Sequence, residues 1–341
     1  MSRRVVTMSV GAAMLLVLGV LGAQLPVPYA ALGPGPTLNT LGSVGNQEIV
    51  SIDGRASNKT AGHLNLTTVS VQDHLDLLTA VRGWLAADVA VVPREEIYPP
   101  GRSEAQIERE NSREFSQSQS NAVLAALGEL NYPKRVVVQG LVEGSASRDK
   151  LRAGDVLVRL DGTAVATLEG LQAQLTALAP GTAVAVDYLR GHATGRATVT
   201  LGRAKERAGG ALGVLVEMNP VATDFTVSIK VGEQIGGPSA GLMFALGILE
   251  KIGPQELTGG AFIAGTGTID SDGKVGPIGG IPLKMIGARD KGATVFLVPA
   301  ANCDEASRTT PAGLRLVRVD TLHGAVVALR GLQAGVTPPA C

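Results

Sequence analysis

Apolar and polar positions divide the chain into stretches of different period. Val5 to Leu25 is a run of 21 uncharged residues, rich in Val, Leu, Ala and Gly. At 1.5 Å per residue a helix of that length spans about 30 Å, the thickness of a bilayer core. Pro26 to Gly45 is broken by Pro and Gly and reads as an extended linker. Gly62 to Val71 alternates apolar and polar side chains, which predicts a strand. Asp73 to Ala87 takes the helical period, with Leu75, Leu78, Val81, Trp84 and Leu85 on one face. After a break at Pro93–Ser103, Glu104 to Leu130 predicts a second helix, polar first and then apolar through Val123, Leu124 and Leu127. Ser116, Ser118 and Ser120 fall in its polar half and read as a solvated face. Farther on, strands are expected at Val136–Val138, Val184–Leu189 and Arg196–Leu201, around a helix at Leu168–Leu178 with Leu171, Leu175 and Leu178 on one side. Leu212–Val216, Phe225–Val231, Ala261–Thr266 and Val295–Pro299 follow as strands. Between them lie a mostly apolar helix at Leu242–Lys251 and another from Ile281. Strands alternating with helices predict an α/β or α+β unit.

Composition narrows the function classes. The 341 residues suffice for two or three domains. Net charge is zero, so no basic footprint for nucleic acid is present. Aromatics are only 3%, which speaks against base-stacking platforms and leaves the core to Val, Leu, Ile and Ala. Arg3 and Arg4 precede the apolar run, so the positive-inside rule places the N-terminus in the cytoplasm and the remainder outside. A cleaved signal peptide is the alternative. Gln24 to Tyr29 reads instead as a helix exit with an interfacial tyrosine, which favours an uncleaved anchor. An exported location permits a disulfide between Cys303 and Cys341, although two free thiols fit the sequence as well. The four histidines, His63, His74, His192 and His323, stand in no triad or metal motif, and neither a metal nor a cofactor is expected.

Two short motifs carry candidate chemistry. In Ile235-Gly236-Gly237-Pro238-Ser239-Ala240-Gly241 a serine sits where a tight turn meets a helix. Backbone N–H groups and the helix dipole there stabilise developing negative charge, which suits an attacking hydroxyl and a tetrahedral oxyanion. Taken alone, Ser239 is better read as a helix cap. Downstream, Gly276-Pro277-Ile278-Gly279-Gly280-Ile281-Pro282-Leu283-Lys284 sets a lysine in apolar surroundings. Burial lowers a lysine pKa and makes the amine a usable base near neutral pH. Alone, Lys284 is also explained as a side chain snorkelling from a helix start.

Together these motifs resemble the proteolytic domain of Lon-type serine peptidases. That resemblance rests on Gly237–Gly241, on Thr266-Gly267 and on Gly279–Lys284, with Ser239 and Lys284 separated by 45 positions. It implies Ser239 as nucleophile, Lys284 as base and Thr266 as a holder of the lysine amine, with no histidine needed. The chain departs from the pattern of the family's ATP-dependent members at Gly236, where they carry an acidic residue, and at Thr268, where they carry Glu. Leu151-Arg152-Ala153-Gly154-Asp155-Val156-Leu157-Val158-Arg159-Leu160-Asp161-Gly162 is similar to the signature of bacterial PDZ domains, with tight turns at Gly154-Asp155 and Asp161-Gly162. Such domains add an extended peptide as a strand beside a helix; a spacer domain with a blocked groove is the plain alternative. The fold expected is thus α+β and multidomain: an N-terminal transmembrane helix (1–29), a linker and mixed segment (30–131), a PDZ domain (132–204) and a Lon-like α/β proteolytic domain (209–335). The order resembles the membrane-anchored PDZ–Lon-like peptidases of Gram-positive bacteria. It implies protein or peptide substrates, membrane attachment with the catalytic part outside, and assembly into a homo-oligomer, without nucleic acid. No Gly-x-x-x-x-Gly-Lys-(Ser/Thr) occurs, so the expected activity is ATP-independent endopeptidase cleavage. The rival expectation is a non-catalytic membrane scaffold on a degenerate peptidase fold.

Overall fold

The computed structural model describes residues 3–204, 208–232 and 235–341. Helix α1, Arg3–Gln24, is apolar on every side, and none of its Arg3–Ala23 span is buried. A helix of that length with mean hydropathy 2.3 is long and apolar enough to cross a membrane, a property it shares with signal sequences. Residues 1 and 2 of the expected anchor lie outside the described residues.

The expected linker at Pro26–Gly45 is not one. Tyr29–Asn39 forms strand β1, which pairs antiparallel with β2, His63–Gln72, from Ala31↔Gln72 to Asn39↔Asn65. The register shifts between Pro34 and Thr37. That irregularity lets a Gly-Pro-Gly-Pro run sit in a strand although proline cannot donate to the ladder. Helix α2, Leu77–Leu85, starts on Asp76, whose carboxylate accepts from Thr79 N–H at 2.7 Å. Of the apolar face expected there only Leu75 is buried; the helix buries Ala80 and Gly83 instead. Strand β3, Ala90–Pro93, pairs with β1, and helix α3, Glu104–Glu129, opens on a capping box between Ser103 and Gln106.

A second sheet follows. It is built from β4 (Lys134–Leu141), β5 (Val156–Leu160), β6 (Ala183–Arg190), β7 (Ala193–Thr200) and β8 (Val214–Pro220), with helix α4 (Leu168–Thr176) beside it. The order is β7-β6-β5-β4-β8. Val136, Val138, Leu157, Leu171, Leu175 and Val186 fill its core. Asp161 and Gly162 both take positive φ, the geometry of a tight hairpin turn. Buried Asp155 accepts a bidentate pair from Arg190 at 2.6 and 2.7 Å. The strand expected at Leu212–Val216 as part of the C-terminal unit is β8, and it closes this second sheet. Its end returns to the start of β4: Lys134 pairs with Pro220, and Val221 N–H donates to Pro133 O at 3.1 Å.

The rest of the chain completes the first sheet. Helix α5 (Gly241–Ile252), β9 (Phe262–Gly265), helix α6 (Ile281–Asp290), β10 (Val295–Pro299), helix α7 (Cys303–Arg308), β11 (Arg315–Val319) and helix α8 (Leu322–Gln333) follow in turn. The strand order is β11-β10-β9-β2-β1-β3, parallel from β2 to β11. The segment expected as a strand at Phe225–Val231 is Thr226–Ile229, paired with Val50–Asp53 in a separate ribbon. Alternate residues of β10 serve opposite faces. Val295 and Leu297 join the core under α5 and α8, whereas Phe296 and Val298 join the core under α6 and α7. A strand covered on both faces reads as one apolar run, as β10 does. Cys303 and Cys341 are joined in a disulfide, so the last residue is held at the start of α7.

Candidate active site

Helix α5 is buried at all twelve positions, which fixes the turn that precedes it. Ser239 lies in that turn, two residues before the first helical residue, Gly241. Its carbonyl accepts from Gly267 N–H at 2.8 Å and from Thr266 Oγ at 3.0 Å. Thr266 follows directly on β9 and is wholly buried. Helix α6 begins after Gly280, which takes the left-handed conformation (φ 70°) that a residue with a Cβ adopts at a cost. Pro282 then sits in the first turn, where its missing N–H is no loss. That start aims Lys284 inward at 4% exposure. Lys284 Nζ is 2.8 Å from Ser239 Oγ and 3.1 Å from Thr266 Oγ. Removal from water pushes the amine down from 10.5 to about 8. The three residues singled out in the sequence thus meet at hydrogen-bond distance, delivered by three separate elements.

Helix α3 supports this arrangement in a way its sequence hid. Ser118, expected on a solvated face, is buried, and its hydroxyl donates to Pro238 O at 2.9 Å. Gly237 N–H donates to Asn111 O at 3.3 Å, and the Asn121 amide donates to Ile269 O at 2.9 Å. The same helix therefore props the Ser239 turn and the segment after Thr266. The signal was there in the period: Phe115, Ser118, Ala122, Ala125 and Ala126 fall on one face. Ser116 and Ser120 are exposed, as expected.

Ser239 and Lys284 open into a groove of 1020 Å³. Strand β9 stops pairing with β2 at Gly265↔Leu66, so Thr67 to Val71 of β2 line the groove beyond it. Leu38, Val44, Val231 and Ile235 make the other lining apolar. Among the described residues, the His/Cys/Asp/Glu group of metal-ligand spacing is Asp73, His74 and Glu104. Arg94 already occupies it, pairing with Asp73 at 2.8 Å and Glu104 at 2.7 Å, and holds the Asp73 carboxyl below its usual range.

Two families match stretches of this chain. Residues 107–201 match the PDZ domain family and residues 223–329 match the Lon protease (S16) C-terminal proteolytic domain family. Over 106 residues the chain is 32% identical to Lon protease 2 of Bacillus subtilis (strain 168); the match covers 31% of this chain and 19% of the relative, so the chain spans about a fifth of that relative's length. Among solved structures, the PDZ domain of an SdrC-like protein from Listeria monocytogenes is similar at 21% identity, covering 24% of this chain and 86% of that one, with a TM-score of 0.23. A solution structure from Geobacillus thermodenitrificans is similar at 24% identity over 25% of this chain and 99% of that one, also with a TM-score of 0.23. The polypeptide thus carries a PDZ domain and a Lon-type proteolytic domain behind an N-terminal helix able to cross a membrane.

Proposed function

We propose that this chain is a serine endopeptidase in which Ser239 is the nucleophile, Lys284 the general base and Thr266 the residue that orients both. The observation that carries the reading is the 2.8 Å approach of a buried, desolvated lysine amine to Ser239 Oγ. In the reaction, neutral Nζ takes the hydroxyl proton as Oγ bonds to the peptide carbonyl carbon. The Gly241 and Leu242 N–H groups already donate to Pro238 O and Gly267 O, so oxyanion stabilisation falls to the backbone N–H groups of Ser239 and Ala240 in the turn before α5. The C–N bond breaks, the ammonium returns its proton to the leaving amine, and an acyl-enzyme remains. Water then attacks the ester carbon as the same amine takes its proton; the C–Oγ bond breaks, the ammonium returns that proton to Ser239 Oγ, and the carboxyl product leaves.

Work without an ATPase motor fits the sequence, which contains no phosphate-binding loop motif. Substrates would then be segments that are already extended, disordered or released from the membrane. On this reading α1 is an uncleaved anchor, the two folded units lie outside the cytoplasmic membrane, and the inserted unit spans from about Tyr132 to Pro220. Substrate selection belongs to the PDZ domain: β8 is an edge strand, α4 packs near it, and Leu215 on it is exposed, the arrangement for strand addition.

A serine-directed phosphonate tests the chemistry. We expect stoichiometric labelling of the purified chain at Ser239, and a loss of peptide hydrolysis of at least ~10³-fold in Ser239→Ala, because groups that act as a unit lose nearly everything together. An unlabelled chain, or hydrolysis at the parent rate in Ser239→Ala, rejects the assignment in favour of a scaffold.

A further inference from the structure

Helix α2 is built the wrong way round for a helix of a water-soluble surface. Its small residues, Ala80 and Gly83, are the buried ones, facing β1 and β3. A Cβ on Gly83 would lie 2.6 Å from the Val91 side chain, so that face tolerates nothing larger. The large residues point away: Leu77, Leu78, Val81, Trp84 and Leu85 are between 39 and 84% exposed. Their spacing puts all five on one stripe of the helix. A contiguous apolar stripe of this kind marks a contact surface.

What covers it follows from its position. The stripe begins where α1 ends: Leu77 N–H donates to Leu25 O at 3.2 Å, and Val27 N–H donates to Leu75 O at 2.9 Å. The Leu77 side chain comes within 3.9 Å of the Cβ position of Gly22 in the last turns of α1. The exposed apolar surface of α1 therefore meets that of α2 at Leu77. Beside this junction Trp84 meets Tyr29 edge to face, with ring centroids 5.4 Å apart. Trp and Tyr are the residues that settle at headgroup depth, one end apolar and the other wet. Arg82 on the same helix is exposed, and its long stem can carry the guanidinium to phosphate level.

We propose that α2 lies in the membrane interface as a second lipid contact, its Leu77–Leu85 stripe seated among headgroups and upper acyl chains next to the anchor. This rests on the reading of α1 as a membrane-spanning anchor. Strand β2, which lines the Ser239 groove with Val69 and Val71, runs on within six residues into α2. Seating α2 on lipid fixes the distance of that groove from the bilayer, so that the segments presented to it are membrane-proximal ones.

Trp84 is the only tryptophan of the chain, so its fluorescence reports this helix alone. The full chain is reconstituted into phosphatidylcholine–phosphatidylglycerol vesicles whose acyl chains are brominated near the headgroup or near the terminal methyl. The expected result is loss of about half or more of the emission with bromine near the headgroup, a smaller loss with deep bromine, and protection from aqueous iodide. In Leu78→Ser/Leu85→Ser the shallow quenching should fall about two-fold or more, with the chain still membrane-bound. No bromolipid quenching overturns the proposal: with iodide access the stripe faces water, and with iodide protection that depends on protein density a second copy covers it. Alkaline carbonate extraction tests the premise separately. A chain released by carbonate rejects the anchor, and the interfacial helix falls with it; a retained chain with an unquenched Trp84 rejects only the helix.

Discussion

Lys284 pays for its position in stability, and that cost has a measurable sign. Its folded pKa of about 8 lies below the ordinary 10.5, because burial disfavours the charged amine. Between those values the unfolded chain binds the extra proton, so stability rises with pH from about 8 to about 10.5. Below about 8 the full penalty is present, on the order of 3 kcal/mol for a separation of that size. Lys284→Met keeps the shape and removes the titration. It should raise the unfolding midpoint at pH 7 by an amount that shrinks toward pH 10, while abolishing hydrolysis. The same pKa sets the rate: kcat/KM should climb with pH through about 8 and then level, and Lys284→Arg should be inactive because guanidinium keeps its proton. Equal midpoint gains at both pH values, or an active Arg variant, would remove the neutral amine from the account. This much was legible beforehand through the resemblance carried by Gly237–Gly241, Thr266-Gly267 and Gly279–Lys284 together, since either motif alone reads as a helix cap or a snorkelling lysine. The period of α3 put Ser118 on its apolar face, but the bond it makes to Pro238 and the burial of Thr266 were not legible, because both depend on which element lies across the turn.

Helix α5 shows how an element can be buried throughout and still carry charge. Glu250 is wholly buried, and its carboxylate accepts from Leu257 N–H and, at 2.8 Å, from Thr258 Oγ. Lys251 is nearly as buried and donates to Glu48 at 2.7 Å and to Val50 O. The Glu250 bonds tie the end of α5 to the loop before β9, which leads into the strand that delivers Thr266, and the Lys251 bonds tie it to the segment Glu48–Val50. Glu250→Ala strands the Leu257 N–H without an acceptor and leaves the Thr258 hydroxyl only Thr60 Oγ, 3.1 Å away. It should cost about 2–4 kcal/mol in urea unfolding, with phosphonate labelling of Ser239 intact in the chain that remains folded. An unchanged midpoint would mean that water reaches those groups. The apolar run of α5 was plain in the sequence; β1 was not. Its Gly33-Pro34-Gly35-Pro36 run carries every mark of a loop, yet Gly35 is where the strand presses on its neighbour, a Cβ there falling 2.3 Å from Thr68 Oγ. Punctuation residues report local freedom, and a bulge in a covered strand uses that freedom as a turn does. The face of α2 misled differently, since a helical stripe says that residues share a side and not which medium lies on it.

At the scale of the whole chain, the first sheet takes β1, β2 and β3 from before the PDZ domain and β9, β10 and β11 from after it. Motif reading put the start of the C-terminal unit after the PDZ signature because both motifs of the site lie there; strands with no motif gave no sign of belonging with them. The topology makes the PDZ domain separable. Lys134 and Pro220 are paired neighbours, and Val221 N–H reaches Pro133 O at 3.1 Å, so both ends of the domain meet at one point. Removing 134–220 and joining Pro133 to Val221 therefore closes the chain over a gap it already spans, and domains whose ends meet are the ones that tolerate such excision. The excised chain should hydrolyse a short reporter peptide at close to the parent rate, since a peptide reaches Ser239 unaided. Cleavage of a protein substrate should fall about 10–100-fold, because a second site held near the first raises effective concentration by that order. Restoring the PDZ domain with a charged residue at Leu215, on the exposed edge of β8, should reproduce the protein-substrate defect and leave peptide hydrolysis intact. Equal losses on both substrates would show instead that the domain gates the groove, and unchanged cleavage of both would leave it as a spacer.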